Sequence, residues 1–150
     1  MKHYDALIIG FGKGGKTLAG ALAKKGLGVA VVEKSKMMYG GTCINVGCIP
    51  SKSLVTSAAH AAAHGDDPFE LKTQRYAEAI REKRRVTTLL RGKNYDKLAT
   101  LPTVDIIDGE ASFLSPTSVS ISTENGVVEV EADKIFINTG AEPIIKPIPG

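Results

Sequence analysis

Two cysteines, Cys43 and Cys48, are the residues of this sequence best suited to redox chemistry. They are the only cysteines among 150 residues, and they lie in the glycine-flanked segment 40–52. In a regular α-helix, Cα atoms five positions apart would be about 8–9 Å from each other, whereas a disulfide needs roughly 4.4–6.8 Å. A disulfide here therefore requires a break in the helix, which Gly47 can provide. Because so short a ring stabilises a fold little, we interpret the pair as a reversible redox site.

A second motif, near the N-terminus, predicts a dinucleotide-binding turn. Gly10, Gly12 and Gly15 fit G-x-G-x-x-G between an apolar run over 4–9 and a helical pattern over 16–25. Gly10 permits the tight turn, Gly12 lets a pyrophosphate approach the backbone, and Gly15 lets the helix pack close to the strands. The N-terminus of the helix would offer N–H groups and a partial positive charge to the phosphates.

Glu33 predicts which nucleotide this turn would bind. It closes a second apolar run over 29–32 and follows Gly10 by 23 residues. Its carboxylate can accept hydrogen bonds from the hydroxyls of an adenosine ribose, and it would repel a 2′-phosphate. The site therefore suits FAD or NAD better than NADP.

The rest of the chain predicts two helices and then short strands. Helical patterns cover 51–64 and 74–98, with a break at 65–68. We predict a small antiparallel meander from four short runs, with a hairpin at Asn125-Gly126: 104–107, 111–114, 118–121 and 127–130. A further buried strand over 134–138 ends at Thr139-Gly140, where the backbone could approach a ligand at the carboxyl edge of the sheet.

Composition is ordinary for a soluble globular domain and argues against several classes of function. Apolar residues make up 43% and charged residues 23% of the chain, and the net charge is +3. The basic residues of the 74–98 helix lack the interleaved aromatic residues of a nucleic-acid surface, so we interpret them as a solvated face and expect no nucleic-acid partner. No apolar run approaches 18 residues, so we expect no membrane span and a cytoplasmic location.

In this order the motifs identify a family. The segments 40–52 (GGTCINVGCIPSK) and 135–140 (IFINTG), together with the glycine-rich turn, resemble the N-terminal part of the class I pyridine nucleotide-disulfide oxidoreductases, which include dihydrolipoamide dehydrogenase, glutathione reductase and mercuric reductase. The resemblance covers all 150 residues. Segments 36–41 and 86–108 resemble most closely the reactive-chlorine-resistance flavoprotein and hypothiocyanous acid reductase branch. The implied fold class is α/β, an FAD-binding doubly wound Rossmann-like parallel sheet with a small antiparallel meander.

The resemblance also implies roles for individual residues. Cys43 would be the interchange thiol that attacks the substrate, Cys48 the charge-transfer thiol against the flavin, and Lys52 a neighbour of flavin N5. Electrons would run from NAD(P)H to FAD, to the Cys43–Cys48 disulfide and then to a small-molecule substrate. The residues implied to bind the cofactor are Gly10, Gly12, Gly14, Gly15, Glu33, Lys34, Gly41, Thr42, Thr139 and Gly140.

The resemblance further implies that residues 1–150 are the N-terminal part of an FAD-binding domain. The nicotinamide-binding and dimerisation domains of the family are expected to lie outside this segment. We therefore expect a homodimer for a full-length protein and no turnover by these residues alone. The substrate stays open among disulfides, metal ions and oxidants.

Three alternatives remain open from the sequence. The cysteines could form half of a zinc site with His60 and His64, which are spaced for one helix face, although we expect no metal. The glycine motif could belong to an NAD dehydrogenase without redox cysteines. The chain could also be a non-catalytic FAD- or NAD-binding module.

Overall fold

Strands and helices alternate along the N-terminal part of the chain, and a run of strands follows the last helix. The computed structural model describes residues 1–65 and 67–148, so Asp66 in the predicted break and Pro149-Gly150 lie outside the described residues. The strands are β1 Lys2–Ile9, β2 Val29–Glu33, β3 Val104–Asp108, β4 Glu110–Phe113, β5 Ser118–Thr123 and β6 Gly126–Ile137. The α-helices are α1 Lys13–Ala23, α2 Thr42–Asn45, α3 Cys48–Ala62 and α4 Phe69–Ala99, and a short 3₁₀ turn covers Lys36–Met38.

The strands of the described residues form a six-stranded mixed sheet. Its order is β3-β2-β1-β6-β5-β4. β3, β2, β1 and β6 run parallel to their neighbours, whereas β6, β5 and β4 pair antiparallel. The predicted α/β class, a Rossmann-like parallel sheet joined to an antiparallel meander, is confirmed.

The central parallel strands, β1 and β2, are buried on both faces along their apolar runs, which explains why those runs do not alternate with polar residues. Along β1, Ala6 and Ile8 belong to a cluster with Ala19 of α1 and Leu98 of α4. Leu7, which points to the opposite face, belongs to a second cluster with residues of β5 and β6. Helices therefore cover one face of the sheet, and the meander packs over the other.

The structure corrects the predicted place of the segment 104–107. We expected it in the antiparallel meander, but β3 pairs parallel with β2, Val104 opposite Val29. The reason is the long helix α4, which carries the chain back to the edge where β2 begins, so the next strand must run in the same direction as β2.

Two further boundaries differ from the prediction. The runs 127–130 and 134–138 are one strand, β6, whose first half pairs with β5 and whose second half pairs with β1. The helices also begin earlier than expected, at Lys13, Cys48 and Phe69. Within the described residues, no helix is both long enough and apolar enough to cross a membrane.

Two valines in the first half of β6 provide a matched stability test. Val130 is 1% exposed and packs in the second cluster, which contains Leu7, whereas Val127 in the same strand is 66% exposed. Val130→Ala should lower the free energy of unfolding by about 2 kcal/mol through lost burial and a cavity. Val127→Ala should cost less than about 1 kcal/mol. Urea denaturation measures both, and equal losses would contradict the assigned packing.

Candidate active site: a glycine cradle beside a cysteine pair

The glycine-rich turn is shaped around one side chain, Asn138. Methyl groups placed on Gly12, Gly14 and Gly15 would lie 2.9, 3.0 and 2.6 Å from the side-chain amide of Asn138. The Nδ2 group of Asn138 donates to the carbonyl oxygen of Gly10 at 3.0 Å. Gly10 itself has φ +103°, and a methyl group there would overlap the backbone carbonyl oxygen of Asn138. The glycines are therefore needed to pack the turn against the end of β6, in addition to any phosphate contact.

Five of the predicted cofactor residues line a single cleft. The cleft is about 310 Å³ and lies at the carboxyl edge of the sheet, and those five residues are Gly10, Glu33, Lys34, Thr139 and Gly140. Parallel strands carry ligands at this edge. The structure thus brings together residues at the carboxyl ends of β1, β2 and β6.

Glu33 is nearly buried and already has backbone partners. It is 8% exposed, and its carboxylate accepts hydrogen bonds from the N–H of Phe11 at 2.9 Å and of Ser35 at 3.1 Å. Each carboxylate oxygen can accept a second hydrogen bond. Glu33 therefore holds the glycine turn and retains acceptor capacity for ribose hydroxyls, so its position fits the predicted role.

The helix breaks between the two cysteines, as the sequence predicts. α2 ends at Asn45, Gly47 adopts φ −113° and ψ −109°, and α3 begins at Cys48. Both cysteines are free and exposed in this structure. The Cys48 thiol is near enough to influence the pKa of Cys43. The break therefore places the two cysteines close together, and their disulfide stays a prediction.

The neighbours of Cys43 act on its acidity in opposite directions. The hydrogen bond with the Cys48 thiol is the leading influence and raises the pKa of Cys43 above its ordinary value. The ammonium group of Lys13 and the backbone N–H of Cys48 both lower that pKa. The raising influences prevail, so Cys43 holds its proton more tightly than an isolated thiol.

The cysteine segment lies directly against the glycine turn. Gly41 has φ +81°, and a methyl group on it would be 2.7 Å from the Cα atom of Gly12. Thr42 then begins α2, and Lys52 follows Cys48 by one turn of α3 with an exposed side chain. The structure therefore brings the start of the cysteine segment against the glycine turn. The cleft that Glu33 lines does not include Thr42, Lys52 or the cysteines.

Sequence reasoning missed the polar residues that hold this site in place. Asn138 was interpreted only as the end of a strand, and Arg91 only as part of a solvated basic face. Arg91 instead donates to Asn45 of α2 at 2.9 Å. Asn94 of α4 accepts a hydrogen bond from Lys16. The i, i+3 spacing of Arg91 and Asn94 was the available signal, but nothing in the sequence pointed to their partners.

The zinc alternative finds little support in the geometry. α3 ends at Ala62, so His60 lies on the helix while His64 lies in the turn after it. In residues 1–65 and 67–148, no group of three or more His, Cys, Asp or Glu side chains is placed to hold a metal ion.

Comparison with known proteins identifies the family. The model of the pyridine nucleotide-disulphide oxidoreductase family matches residues 4–150. The chain belongs to the class I pyridine nucleotide-disulfide oxidoreductases. Among curated relatives, it is 48% identical over 150 residues to the probable pyridine nucleotide-disulfide oxidoreductase RclA of Escherichia coli K12, covering 100% of this chain and 31% of RclA. This places the chain in the RclA branch.

More distant relatives and a solved structure agree. The chain is 34% identical over 149 residues to a mercuric reductase of Acidithiobacillus ferrooxidans, covering 93% of this chain and 27% of that enzyme. It superposes on the Cu(II) complex of the HOCl-induced flavoprotein disulfide reductase RclA from Escherichia coli with a TM-score of 0.87, at 48% identity and over 100% of this chain and 31% of that one. The chain thus spans about a third of the length of these oxidoreductases.

Close packing at Gly10 can be separated from backbone strain. Gly10 and Gly126 both have positive φ, +103° and +119°, but nothing lies within 4 Å of a methyl group on Gly126. Gly126→Ala should lower the free energy of unfolding by about 1–2 kcal/mol through strain alone. Gly10→Ala should cost about 1–3 kcal/mol more, because it also overpacks the turn. Urea unfolding of both variants tests this, and equal losses would show that Asn138 does not restrict the turn.

The acidity of Cys43 can be tested from the pH dependence of alkylation. Because the thiolate is the reacting species, the rate of Cys43 alkylation rises with pH and levels off above the pKa of that thiol. Cys48→Ala removes the leading influence that raises this pKa, so the midpoint should move to lower pH. Lys13→Met removes a cation that lowers the pKa, so the midpoint should move to higher pH.

The control for charge in the alkylation experiment is Lys25→Met. Lys25 lies beyond the far end of α1 and is exposed, so its removal changes the net charge equally without changing the surroundings of Cys43. Iodoacetamide labelling of the reduced protein, followed by mass mapping, gives each midpoint. A shift with Lys25→Met as large as that with Lys13→Met would contradict a local effect of Lys13.

Proposed function

We propose that this chain is the N-terminal part of the FAD-binding domain of a flavin-dependent disulfide oxidoreductase. In the complete enzyme, electrons pass from NAD(P)H through FAD to a Cys43–Cys48 disulfide and then to a small-molecule disulfide, metal ion or oxidant. The observation that carries the proposal is the close approach of Gly12 and Gly41, which joins the glycine turn to the segment that carries the cysteine pair.

The residues present fit FAD. The first N–H groups of α1, an 11-residue helix, can bind the pyrophosphate, and Glu33 has acceptor capacity for the ribose. The tight approach of Gly12 and Gly41 leaves backbone rather than side chains beside the phosphate path. When bound, FAD supplies hydride acceptance from NAD(P)H and electron transfer to sulfur.

The cysteines would perform disulfide exchange with the substrate. Two electrons and two protons convert the Cys43–Cys48 disulfide to the dithiol. The Cys43 thiolate attacks one sulfur of a substrate disulfide, forms a mixed disulfide and releases the other substrate sulfur as a thiolate. Cys48 then attacks the sulfur of Cys43, releases the second substrate thiolate and re-forms the intramolecular disulfide. The influence of the Cys48 thiol on the pKa of Cys43, which requires the two to be neighbours, supports the second step.

The length of the relatives bears on turnover. RclA is about three times as long as this chain, which covers 31% of it. We propose that the nicotinamide-binding and dimerisation domains of the family are required for turnover, that the complete enzyme is a homodimer, and that it acts in the cytoplasm. Residues 1–150 alone should not oxidise NAD(P)H.

Anaerobic dithionite titration of the complete protein tests the proposal. The oxidised protein should take up about two electrons for its flavin and about two more for the disulfide. Cys48→Ser, which removes a thiol that is exposed and not part of the core, should keep the flavin and lose the second pair of electrons. Partial reduction of the unsubstituted protein should also give a long-wavelength absorption band that Cys48→Ser lacks.

Other results would contradict the proposal in distinct ways. Equal electron uptake by the two proteins, with flavin bound to both, would show a flavin-binding module without a redox disulfide. A protein that binds NAD and no flavin would show that the cleft serves a dehydrogenase. In either case the Cys43–Cys48 assignment fails.

A further inference from the structure

The loop that carries Cys43 is tied to helix α4 through a single side chain, Asn45. Its Nδ2 group donates to the carbonyl oxygens of Tyr39 at 3.0 Å and Gly41 at 2.9 Å. Its Oδ1 atom accepts from Nε of Arg91 at 2.9 Å. Only this orientation of the amide satisfies all three partners, since a carbonyl oxygen needs a donor and a guanidinium needs an acceptor. Arg91 therefore selects the orientation in which Asn45 can hold the loop.

Arg91 is held on both sides of its guanidinium group. Its Nη1 atom donates to the sulfur of Met37 at 3.4 Å, just before the loop, while its Nε atom faces Asn45. The helix that carries it is 31 residues long and is anchored in the core by Leu98 and Thr87, which are 3% and 7% exposed. By contrast, α2 has four residues, too few to be stable without outside contacts.

A second contact from α4 limits the loop at Gly40. This residue has φ +91°, and a methyl group on it would lie 3.2 Å from Cγ of Asn94. Asn94 in turn donates to the carbonyl oxygen of Leu90 at 2.6 Å and accepts from Lys16. The backbone at Gly40 and Gly41 is therefore enclosed between α4 and the glycine turn, and Arg91 supplies the polar contact that reaches α2.

We propose that Arg91 is a positioning residue for the redox pair: by orienting Asn45, it fixes the loop that holds Cys43 against Cys48 and so favours their disulfide. This inference rests on the proposed function, because it requires that the two cysteines form a disulfide. Arg91 acts through Asn45 and has no part in bond making. Its effect is to raise the effective concentration of one thiol toward the other, which strengthens the disulfide relative to the dithiol.

The test is the equilibrium between this pair and glutathione in the complete, flavin-loaded protein. In that equilibrium, oxidised glutathione takes two electrons from the dithiol and yields the Cys43–Cys48 disulfide and two reduced glutathione molecules. Arg91→Ala should lower the equilibrium constant about 5- to 10-fold, the size expected for one hydrogen bond. A tenfold fall corresponds to a reduction potential about 30 mV more positive. Acid trapping, alkylation and mass mapping measure the two forms.

Two further variants separate positioning from a general structural effect. Asn45→Asp keeps an acceptor for Arg91 but loses the amide donors to Tyr39 and Gly41, so it should lower the constant as much as Arg91→Ala. Arg91→Lys retains one donor for Asn45 and should recover part of the difference.

Arg85→Ala is the matched control. This arginine is on the same helix and makes two 2.7 Å hydrogen bonds to Glu82, away from the loop. Its removal should leave the constant within about twofold of the unsubstituted protein, the range below one hydrogen bond. Thermal unfolding and flavin content should be similar for Arg85→Ala and Arg91→Ala.

The outcomes are distinguishable. If Arg91→Ala and Asn45→Asp both match Arg85→Ala, the positioning role is wrong, while the proposed function stands. If the unsubstituted protein forms no disulfide at any glutathione ratio, the proposed function itself is wrong. If Arg91→Ala fails to fold, Asn45→Asp provides the test. A fall of more than about twofold in its equilibrium constant with glutathione supports the positioning role, and a smaller change contradicts it.

Discussion

The site depends on one close contact between two stretches of backbone, at Gly12 and Gly41. A methyl group on Gly41 would lie 2.7 Å from the Cα atom of Gly12, so neither a side chain nor a water molecule separates the dinucleotide turn from the cysteine loop. Asn138 packs against the same turn and donates a hydrogen bond to Gly10, so the end of β6 and the cysteine loop both contact the glycine turn. Cofactor cleft and redox pair are therefore positioned by the same packed backbone.

Helix α4 gives this arrangement its rigidity, although its sequence resembles a solvated surface helix. Several of its charges do face solvent and pair locally, as Glu82 does with Arg85. One side is different: the ring of Tyr95 packs at a tilt against Tyr39 with ring centroids 4.9 Å apart, and Tyr39 packs at a tilt against Phe11 of the glycine turn at 5.1 Å. The hydroxyl of Tyr39 donates to Asp108 at the end of β3. The aromatic contacts and this hydrogen bond thus join α4, the glycine turn and the sheet, next to the loop that carries Cys43.

The sequence was sufficient for features that depend on local rules. The G-x-G-x-x-G turn, the break before Cys48 and the doubly buried β1 all follow from residue type and spacing. The position of β3 could not be predicted, because pairing with β2 depends on the path of α4. Nor could the roles of Asn138 and Arg91, whose hydrogen bonds span 128 and 46 residues of sequence. Such contacts are decided by tertiary packing, to which a single sequence pattern is insensitive.

The helix break at Gly47 has a chemical consequence as well as a geometric one. By ending α2 and starting α3 at Cys48, it lets the two sulfurs meet, which an unbroken helix would prevent. It also leaves the first N–H groups of the 15-residue α3 without helical partners, and the backbone N–H of Cys48 lowers the pKa of Cys43. A thiolate on Cys43 would therefore face a helix N-terminus, where negative charge is favoured. The same break that permits a disulfide gives the Cys43 thiolate one favourable neighbour, although the Cys48 thiol outweighs it and the pKa of Cys43 stays raised.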